Sequence, residues 1–194
     1  KYLLKLDNLM FCSELSGELS LKSWNLLEND LPNFKADISA LRKPSGTAFW
    51  SYWFYKTDFI LWFLKAIEQG DDWKNYRITK KNSVEHISPQ NKREYDENIL
   101  WDESEILSDD DKKKRLNDFG NLVLLAVGMN SEYSNKSFAE KRTSFFEKRR
   151  LDSLKSALIF GNQKWNWVLC EQHRNEMITL FEEYFLKTME KPDK

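Results

Sequence analysis

The sequence predicts a mainly helical protein with a small β-hairpin, which is an α+β fold. The chain of 194 residues contains eight tryptophans but only six glycines and four prolines, a composition typical of an ordered helical protein. Its longest apolar stretch has the length of a helix, and only two short segments have the pattern of strands. A chain of this length can bury a sizeable core.

The overall charge and the cysteines exclude several classes of protein. The formal net charge is −1 at pH 7, so any contact with nucleic acid must come from a local basic patch. Cys12 and Cys170 are far apart in the sequence and are interpreted as reduced core thiols. Two cysteines and two separated histidines also argue against a structural zinc ribbon.

Two parts are expected along the chain, with a boundary near residue 75. Residues 1–75 are predicted to form a helical scaffold, and within it residues 1–45 form helices joined by polar turns. Residues 76–194 carry the motifs, and both parts together can form one compact unit. No signal peptide is visible, and a chain that begins with Lys1 is expected to be a piece of a longer protein.

Residues 48–69 are the most apolar stretch and are predicted to form a long buried helix that ends near Gly70. A membrane span needs about 20 consecutive apolar residues. Lys56 and Asp58 interrupt this stretch. Its aromatic residues are therefore interpreted as core residues, and no contact with a membrane is expected.

The first strand is predicted within residues 83–90, where apolar and polar side chains alternate before Pro89 ends the segment. Residues 76–79 are predicted to be a short extended piece ahead of it. Residues 91–119 are polar and have the character of an insertion. Within them, Ser108 precedes three aspartates and then four basic residues, which predicts a capped helix with charges that suit its dipole.

The second strand is predicted at residues 122–127, an apolar run between Gly120 and Gly128. Residues 128–131 are expected to turn the chain. A helix is predicted to follow. Two strands, a turn and a helix in this order form a ββα layout.

The predicted helix after the turn is basic. It is expected to start at residues 135–137, and Asn135 is interpreted as a helix cap and not as a metal ligand. Residues 136–150 contain six basic and two acidic residues. This helix is either the basic patch that binds a nucleic acid or an ordinary charged surface. Two further helices are predicted at residues 151–160 and 165–186, the last one amphipathic.

Pairing of the two strands would bring Glu85, His86 and Asn130 together. Hydrolysis of a phosphodiester bond requires an activated water molecule and a cation that stabilises the phosphate charge. A histidine that titrates near neutral pH can accept the proton of that water, and oxygen atoms of Glu85 and Asn130 suit Mg²⁺ or Mn²⁺. Because neighbouring strand residues point to opposite faces, Glu85 and His86 must lie at the strand end to share one site. The other histidine, His173, is expected outside the site.

These residues carry a family resemblance. The segment 84–90 (VEHISPQ), with residues 120–125 (GNLVLL), Asn130 and residues 135–141 (NKSFAEK), resembles the HNH (His-Me finger) endonucleases. The particular likeness is to the C-terminal nuclease domain of GmrSD-type restriction and phage-defence proteins. Residues 49–56 also resemble the helix that precedes the site in that family.

The resemblance implies a ββα-metal finger within the helical scaffold and a role for each matching residue. His86 would be the general base that activates water. Asn121 would be a second catalytic residue, which ties the loop of the finger together and helps to orient the histidine. Glu85 and Asn130 would bind the divalent metal, Mg²⁺ or Mn²⁺.

The resemblance also implies partners. Phage DNA or modified DNA would be the substrate, and a nucleotide-hydrolysing sensor domain would precede this chain in the same cytoplasmic protein. No glycine-rich phosphate loop occurs in the sequence, so the chain is interpreted as the effector part. Three basic side chains are candidates for contacts with DNA phosphates: Lys136, Lys141 and Arg142.

Two alternatives to a DNA endonuclease remain open. One is a degenerate finger that binds nucleic acid or docks a partner domain without catalysis, for which the aromatic-rich N-terminal half offers a surface. The other is a ribonuclease that uses the same finger.

Overall fold

The computed structural model describes residues 2–9, 23–24, 37–94, 96, 99–148 and 151–189. Over these residues the protein is mainly helical with one two-stranded antiparallel sheet, which confirms the predicted fold class. The other helices predicted within residues 1–45, and Cys12, lie outside the described residues.

The elements follow the chain in a simple order. Helices α1 (Tyr2–Leu9), α2 (Ser51–Gln69) and α3 (Asp71–Lys74) come first, with 3₁₀ turns at Ser39–Arg42 and Gly46–Ala48. Strands β1 (Ser83–His86) and β2 (Leu122–Leu125) follow, and between them lie α4 (Asp109–Leu116) and a 3₁₀ turn at Phe119–Asn121. The chain continues with helices α5 (Val127–Tyr133), α6 (Phe138–Glu147), α7 (Leu154–Gly161) and α8 (Trp167–Met189).

Helix α2 confirms the predicted long buried helix. It ends at Gly70, whose φ of 95° lies in the region that favours glycine. It packs against α7, α8 and β2, and Phe54, Ile60 and Leu61 are buried in the core. In the part of the chain that the structure describes, no helix is long and apolar enough to cross a membrane. The contacts of α2 cross the boundary expected near residue 75, and the division into two parts stays a prediction.

The small sheet separates two hydrophobic cores. Strands β1 and β2 pair antiparallel, with His86 opposite Leu122. Leu122 and Leu124 belong to the core that includes α2 and α8, whereas Val123 and Leu125 belong to the core that includes α6 and α7. Because both faces of β2 are buried, the strand is apolar throughout instead of alternating.

Local predictions around the sheet have mixed outcomes. The capped helix is confirmed, since Ser108 Oγ accepts a hydrogen bond from the main-chain N–H of Asp111 at 3.1 Å. The predicted turn at residues 128–131 is wrong, because these residues lie in α5. Contacts of α5 with β1 favour the helix despite its glycine. Residues 76–79 form no regular strand.

A buried ion pair fastens α2 to its neighbours. Asp58 Oδ2 accepts hydrogen bonds from Lys81 Nζ and from the Tyr76 hydroxyl, both at 2.8 Å. Asp58 Oδ1 accepts from the Ser153 hydroxyl at 2.9 Å and from the main-chain N–H of Lys155 at 3.0 Å. The side chains of Asp58 and Lys81 are each 2% exposed. This cluster, which we call the Asp58 clamp, joins α2, the segment before β1 and the start of α7.

Gly120 allows the chain to approach α8 closely just before β2. A Cβ atom at this position would lie 2.1 Å from the main-chain oxygen of Cys170, so a larger residue would displace the helix. Cys170 is a buried free thiol, as predicted. Beside it, the buried ammonium of Lys155 donates to the main-chain oxygens of Phe119 at 2.9 Å and Leu122 at 2.6 Å. Burial lowers the pKa of Lys155 to about 7.

Candidate active site

An open cleft lies at the end of β1. Its volume is about 280 Å³. Glu85 and His86 are the last two residues of β1, and both line this cleft. Two consecutive residues at the end of the strand therefore contribute to the lining of one cleft. The other lining residues are Pro89, Gln90, Asn91, Ser134 and Asn135.

Glu85 is held by a buried lysine of helix α6. Lys141 Nζ donates to Glu85 Oε1 at 2.8 Å and to the main-chain oxygen of His86 at 2.6 Å. The Lys141 side chain is completely buried, whereas that of Glu85 is 12% exposed. Burial raises the pKa of Glu85 and lowers the pKa of Lys141, and the charge of each partner opposes the shift of the other.

This position of Lys141 differs from the one expected for a phosphate contact. Its ammonium faces Glu85 and the end of β1 instead of solvent, so it cannot reach a DNA phosphate in this conformation. The physical reason is its place on α6, from which the ammonium reaches the end of β1 and neutralises a carboxylate that would otherwise be unpaired. Lys141 instead fixes the orientation of Glu85.

His86 is oriented by a residue that the sequence did not indicate. Its Nε2 lies 3.1 Å from Asn117 Oδ1, so an Nε2–H tautomer donates to this oxygen and leaves Nδ1 free to accept a proton. Nδ1 has no hydrogen-bond partner among the described residues. Burial lowers the pKa of His86, the bond to Asn117 opposes this shift, and the charge of Lys141 adds to it. The imidazole, only 4% exposed, is therefore neutral near pH 7.

Asn117 is itself positioned by the N-terminal part of the chain. The main-chain N–H of Gly46 donates to the main-chain oxygen of Asn117 at 3.1 Å. A Cβ atom on Gly46 would lie 2.4 Å from Asn117 Oδ1, and φ of Gly46 is 55°. Both the close approach and the left-handed backbone favour glycine. The turn at Gly46 thus determines where the partner of His86 lies.

Asn121 ties together the two ends of the loop between the strands. Its Oδ1 accepts from the main-chain N–H of Ser88 at 2.9 Å, and its Nδ2 donates to the main-chain oxygen of Leu116 at 2.9 Å. Its main-chain oxygen accepts from the N–H of Ile87 at 2.8 Å. Asn121 is fully buried and does not line the cleft. Its catalytic role stays a prediction, and its contacts are those of a residue that positions His86 through the chain.

The two asparagines after β2 have different places. Asn130 lies in α5, and its side chain is outside what the structure describes, so its role as a metal ligand stays a prediction. Asn135 lines the cleft beside Glu85 and His86. Its interpretation as a helix cap is wrong, because Ser137 caps α6 through a capping box with Glu140. A serine three residues before a glutamate was the signal for this.

The remaining basic candidates also have local partners. Arg142 Nε donates to the main-chain oxygens of Phe160 and Asn162, both at 2.9 Å. Lys136 Nζ lies 3.4 Å from Ser144 Oγ and is half-buried. Of the three residues expected to bind phosphates, Lys136 is the one held most weakly. Its role and that of Arg142 stay predictions.

A metal ion at the cleft would rely on oxygen atoms. Among the described residues, no group of three or more His, Cys, Asp or Glu side chains could hold a metal ion. The cleft offers the carboxylate of Glu85 and the carboxamide oxygens of Gln90, Asn91 and Asn135. Mg²⁺ is usually bound by one or two carboxylates and keeps several water molecules. These residue types are compatible with Mg²⁺ or Mn²⁺, and the binding of a metal ion stays a prediction.

The cleft belongs to a strand–strand–helix unit in a helical protein, with a carboxylate and a neutral imidazole at the strand end. Residues 35–180 match the family described as GmrSD restriction endonucleases, C-terminal domain. Because the match covers most of the chain, the chain belongs to this family, and its function is that of a restriction-endonuclease type of nuclease. No curated protein and no solved structure matches it.

Proposed function

We propose that the chain is a metal-dependent endonuclease domain of the HNH type, which hydrolyses phosphodiester bonds of DNA. It would be the effector part of a larger restriction or anti-phage protein. Family membership supports a restriction nuclease. The observation that carries the proposal is the pairing of Glu85 with His86 on one cleft, with the imidazole held by Asn117 in its neutral form. The sensor domain and the cytoplasmic location implied by the resemblance stay predictions.

His86 acts as the general base in this proposal. Its Nδ1 takes a proton from a water molecule in the cleft, and the water oxygen then forms a bond to phosphorus. The bond between phosphorus and the leaving oxygen breaks, and that oxygen takes a proton from solvent. A neutral imidazole is required at the start, which agrees with the pKa lowered by burial.

Glu85 would hold the metal ion, with Asn130 as the second ligand expected from the resemblance. Asn135 adds a carboxamide oxygen in the same cleft. A divalent cation stabilises negative charge on the phosphate and on the leaving oxygen. The buried Lys141 keeps the Glu85 carboxylate in one orientation and leaves Oε2 without a hydrogen-bond partner in the described part of the chain.

The test is cleavage of supercoiled plasmid by the purified chain with Mg²⁺ or Mn²⁺. We expect nicking that stops with a chelator and falls by about 100-fold or more in His86→Ala, because general-base catalysis contributes about that much. His173→Phe is the matched control, since the other histidine is buried in α8 against Trp165. Equal nicking by His86→Ala and the wild type would remove His86 from the mechanism.

One observation favours a second candidate, a binding module without catalysis. The Lys141 ammonium already neutralises Glu85, and a carboxylate with a fixed cation attracts a second cation less strongly. Plasmid binding and cleavage, measured as a chelator is added, distinguish the nuclease from the binding module. A binding module would bind plasmid equally with and without Mg²⁺ and would leave it uncut.

The ribonuclease alternative has its own test. Cleavage of single-stranded RNA in preference to plasmid would indicate a ribonuclease.

A further inference from the structure

We propose that a second pocket, next to the cleft, binds one base of the DNA strand that is being cut. This inference rests on the proposed function. The pocket has a volume of about 160 Å³, and Pro89 and Gln90 line both the pocket and the cleft. Because the two cavities share this wall, a phosphate in the cleft would have the base of an adjoining nucleotide at the mouth of the pocket.

The walls of the pocket suit a flat aromatic ligand. Trp101 and Phe138 contribute aromatic rings, and Ile99 and Leu116 contribute apolar side chains. Trp101 is half-buried, so part of its ring remains available for stacking. Proteins that bind single nucleic-acid strands place bases on aromatic side chains in this way, and the interaction tolerates different bases. A base must leave the helical stack to enter such a pocket.

A polar group at the shared wall can read the edge of the base. Gln90 carries both a donor and an acceptor on its side chain, and it has no hydrogen-bond partner among the described residues. Glutamine pairs with adenine through two hydrogen bonds. Among the other polar residues of the pocket, Asp96, Lys92 and Ser137 already have hydrogen-bond partners, and Ser88 is only 5% exposed. Gln90 is therefore the group that would distinguish one base from another.

The pocket is held open by contacts that do not depend on a ligand. Arg93 donates to both oxygens of Asp96, at 2.8 and 3.0 Å, and to Glu140 Oε1 at 3.1 Å. Glu140 belongs to the capping box of α6. The loop that carries the pocket is thereby attached to the helix that carries Lys141. A pre-formed pocket loses less free energy on binding because fewer side chains must be ordered.

The experiment removes one base of the oligonucleotide and, separately, the aromatic ring of Trp101. A short labelled oligonucleotide is made with one abasic site, which is moved along the strand one position at a time. Its dissociation constant is measured by fluorescence anisotropy in chelator, with the His86→Ala chain, so that no cleavage occurs. We expect one position at which loss of the base weakens binding by about 5- to 150-fold, the range for stacking of one base.

Trp101→Ala, added to the same background, is expected to abolish that penalty, while Trp101→Phe retains most of it. Trp62→Ala is the matched control, because Trp62 is a partly exposed tryptophan on α2 that lines neither cavity. Circular dichroism melting checks that each variant is folded, and Gln90→Ala offers a second test should Trp101→Ala fail to fold. In Gln90→Ala the difference between an adenine and other bases at this position should vanish.

The outcomes separate this proposal from the proposed function. The proposal of a base pocket is overturned if removing a base weakens binding equally with Trp101 and with Trp101→Ala, or at no position at all. This holds even if the chain cuts plasmid. A penalty that depends on Trp101 supports the pocket even if the chain leaves plasmid intact, and only the nuclease mechanism then fails.

Discussion

Two regions of the molecule contain a lysine–carboxylate pair buried between a helix and the approach to the sheet, and the two pairs are completed differently. In the Asp58 clamp the carboxylate accepts four hydrogen bonds and is 2% exposed. At the cleft, Glu85 accepts one hydrogen bond among the described residues, from Lys141, and its side chain is 12% exposed.

The difference shows what each pair can do. A carboxylate whose oxygens are all occupied can only hold the fold together, because any further ligand would have to displace a hydrogen bond. Glu85 keeps one oxygen for a ligand from the cleft, while Lys141 prevents the side chain from turning away. A lysine–carboxylate pair is thus structural when all the carboxylate lone pairs accept hydrogen bonds, as in Asp58. It can bind a further ligand when one oxygen has no hydrogen-bond partner among the described residues, as in Glu85.

The largest effect on stability is expected at the clamp. Asp58→Asn leaves the buried Lys81 ammonium without its counter-charge, and breaking a buried pair in this way costs about 3–5 kcal/mol of unfolding free energy. Urea denaturation followed by circular dichroism measures the loss. Asp71→Asn is the control, because Asp71 and Lys74 form an exposed pair, which contributes little. Equal losses in the two variants would show that the clamp is not structural.

A smaller loss of stability, accompanied by a loss of cleavage, is expected at the cleft. Lys141→Met removes the bonds to Glu85 and to the main chain of His86, which should cost about 2 kcal/mol, because water in the cleft can solvate Glu85. Adding Glu85→Gln should restore part of the stability, since no charge is then left unpaired. The double variant should still fail to cleave DNA. A Lys141→Met chain that cuts DNA as fast as the wild type would contradict the positioning role.

The pH dependence of the cleavage rate tests the role of His86 separately from that of the Glu85–Lys141 pair. Burial lowers the pKa of His86 and of His173 below the ordinary value. Cleavage should therefore rise with pH, with a midpoint below about 6.5, and then stay level, because the neutral form is the base. His173→Phe should keep this midpoint. A midpoint above that value would contradict the lowered pKa of His86, and a cleavage rate that falls as the pH rises would mean that His86 works in its charged form.

The stability of the fold should respond to pH in the same window. Below about pH 6.5 the unfolded chain protonates both histidines, whereas the folded chain protonates neither until its lowered pKa values are reached. The contribution of each histidine to the unfolding free energy should therefore fall as the pH falls through this window, by at most about 1.4 kcal/mol per pH unit, whereas the raised pKa values of Glu85 and Asp118 act in the opposite direction. His173→Phe should make the slope shallower in urea titrations at several pH values.

The smallest effect on stability is expected at Lys136, a second lysine near the start of α6. Lys136→Gln removes only a long contact with Ser144, so the unfolding free energy should change by less than about 0.5 kcal/mol. If Lys136 contacts a phosphate, the variant should bind DNA more weakly and with a salt dependence reduced by about one charge. A binding curve unchanged at every salt concentration would remove Lys136 from the DNA interface.

Local patterns in the sequence were sufficient for most of the elements and for the position of Glu85 and His86 on β1. Alternation predicts the first strand, and a serine before three aspartates predicts the cap of α4. Both of these signals depend on residues close together in the chain. The glycine and asparagine before β2 are different, since Gly120 contacts Cys170 of α8 and Asn121 bonds Ser88, and both partners are distant in the sequence.

The partners of the site could not be predicted, because they come from distant segments. Asn117 is 31 residues away from His86, and Lys141 is 56 residues away from Glu85. No periodicity connects such positions. The basic character of residues 136–150 indicated an exposed patch, but charge composition alone does not show which lysine turns inward. Similarly, Gly128 marked a turn by composition, and packing against β1 placed it in a helix.

The hydrogen bonds of Asn121 have an evolutionary consequence. They join Ser88 to Asn121, 33 positions apart. They therefore hold both ends of the segment between the strands, which carries most of the base pocket, and leave the middle of the segment unbound by Asn121. The entropic cost of closing a loop rises only slowly with its length, so the middle of this segment, away from Asn117, can be exchanged or extended at little cost to the site. Selection can then diversify what such a protein recognises while leaving unchanged how it would cut.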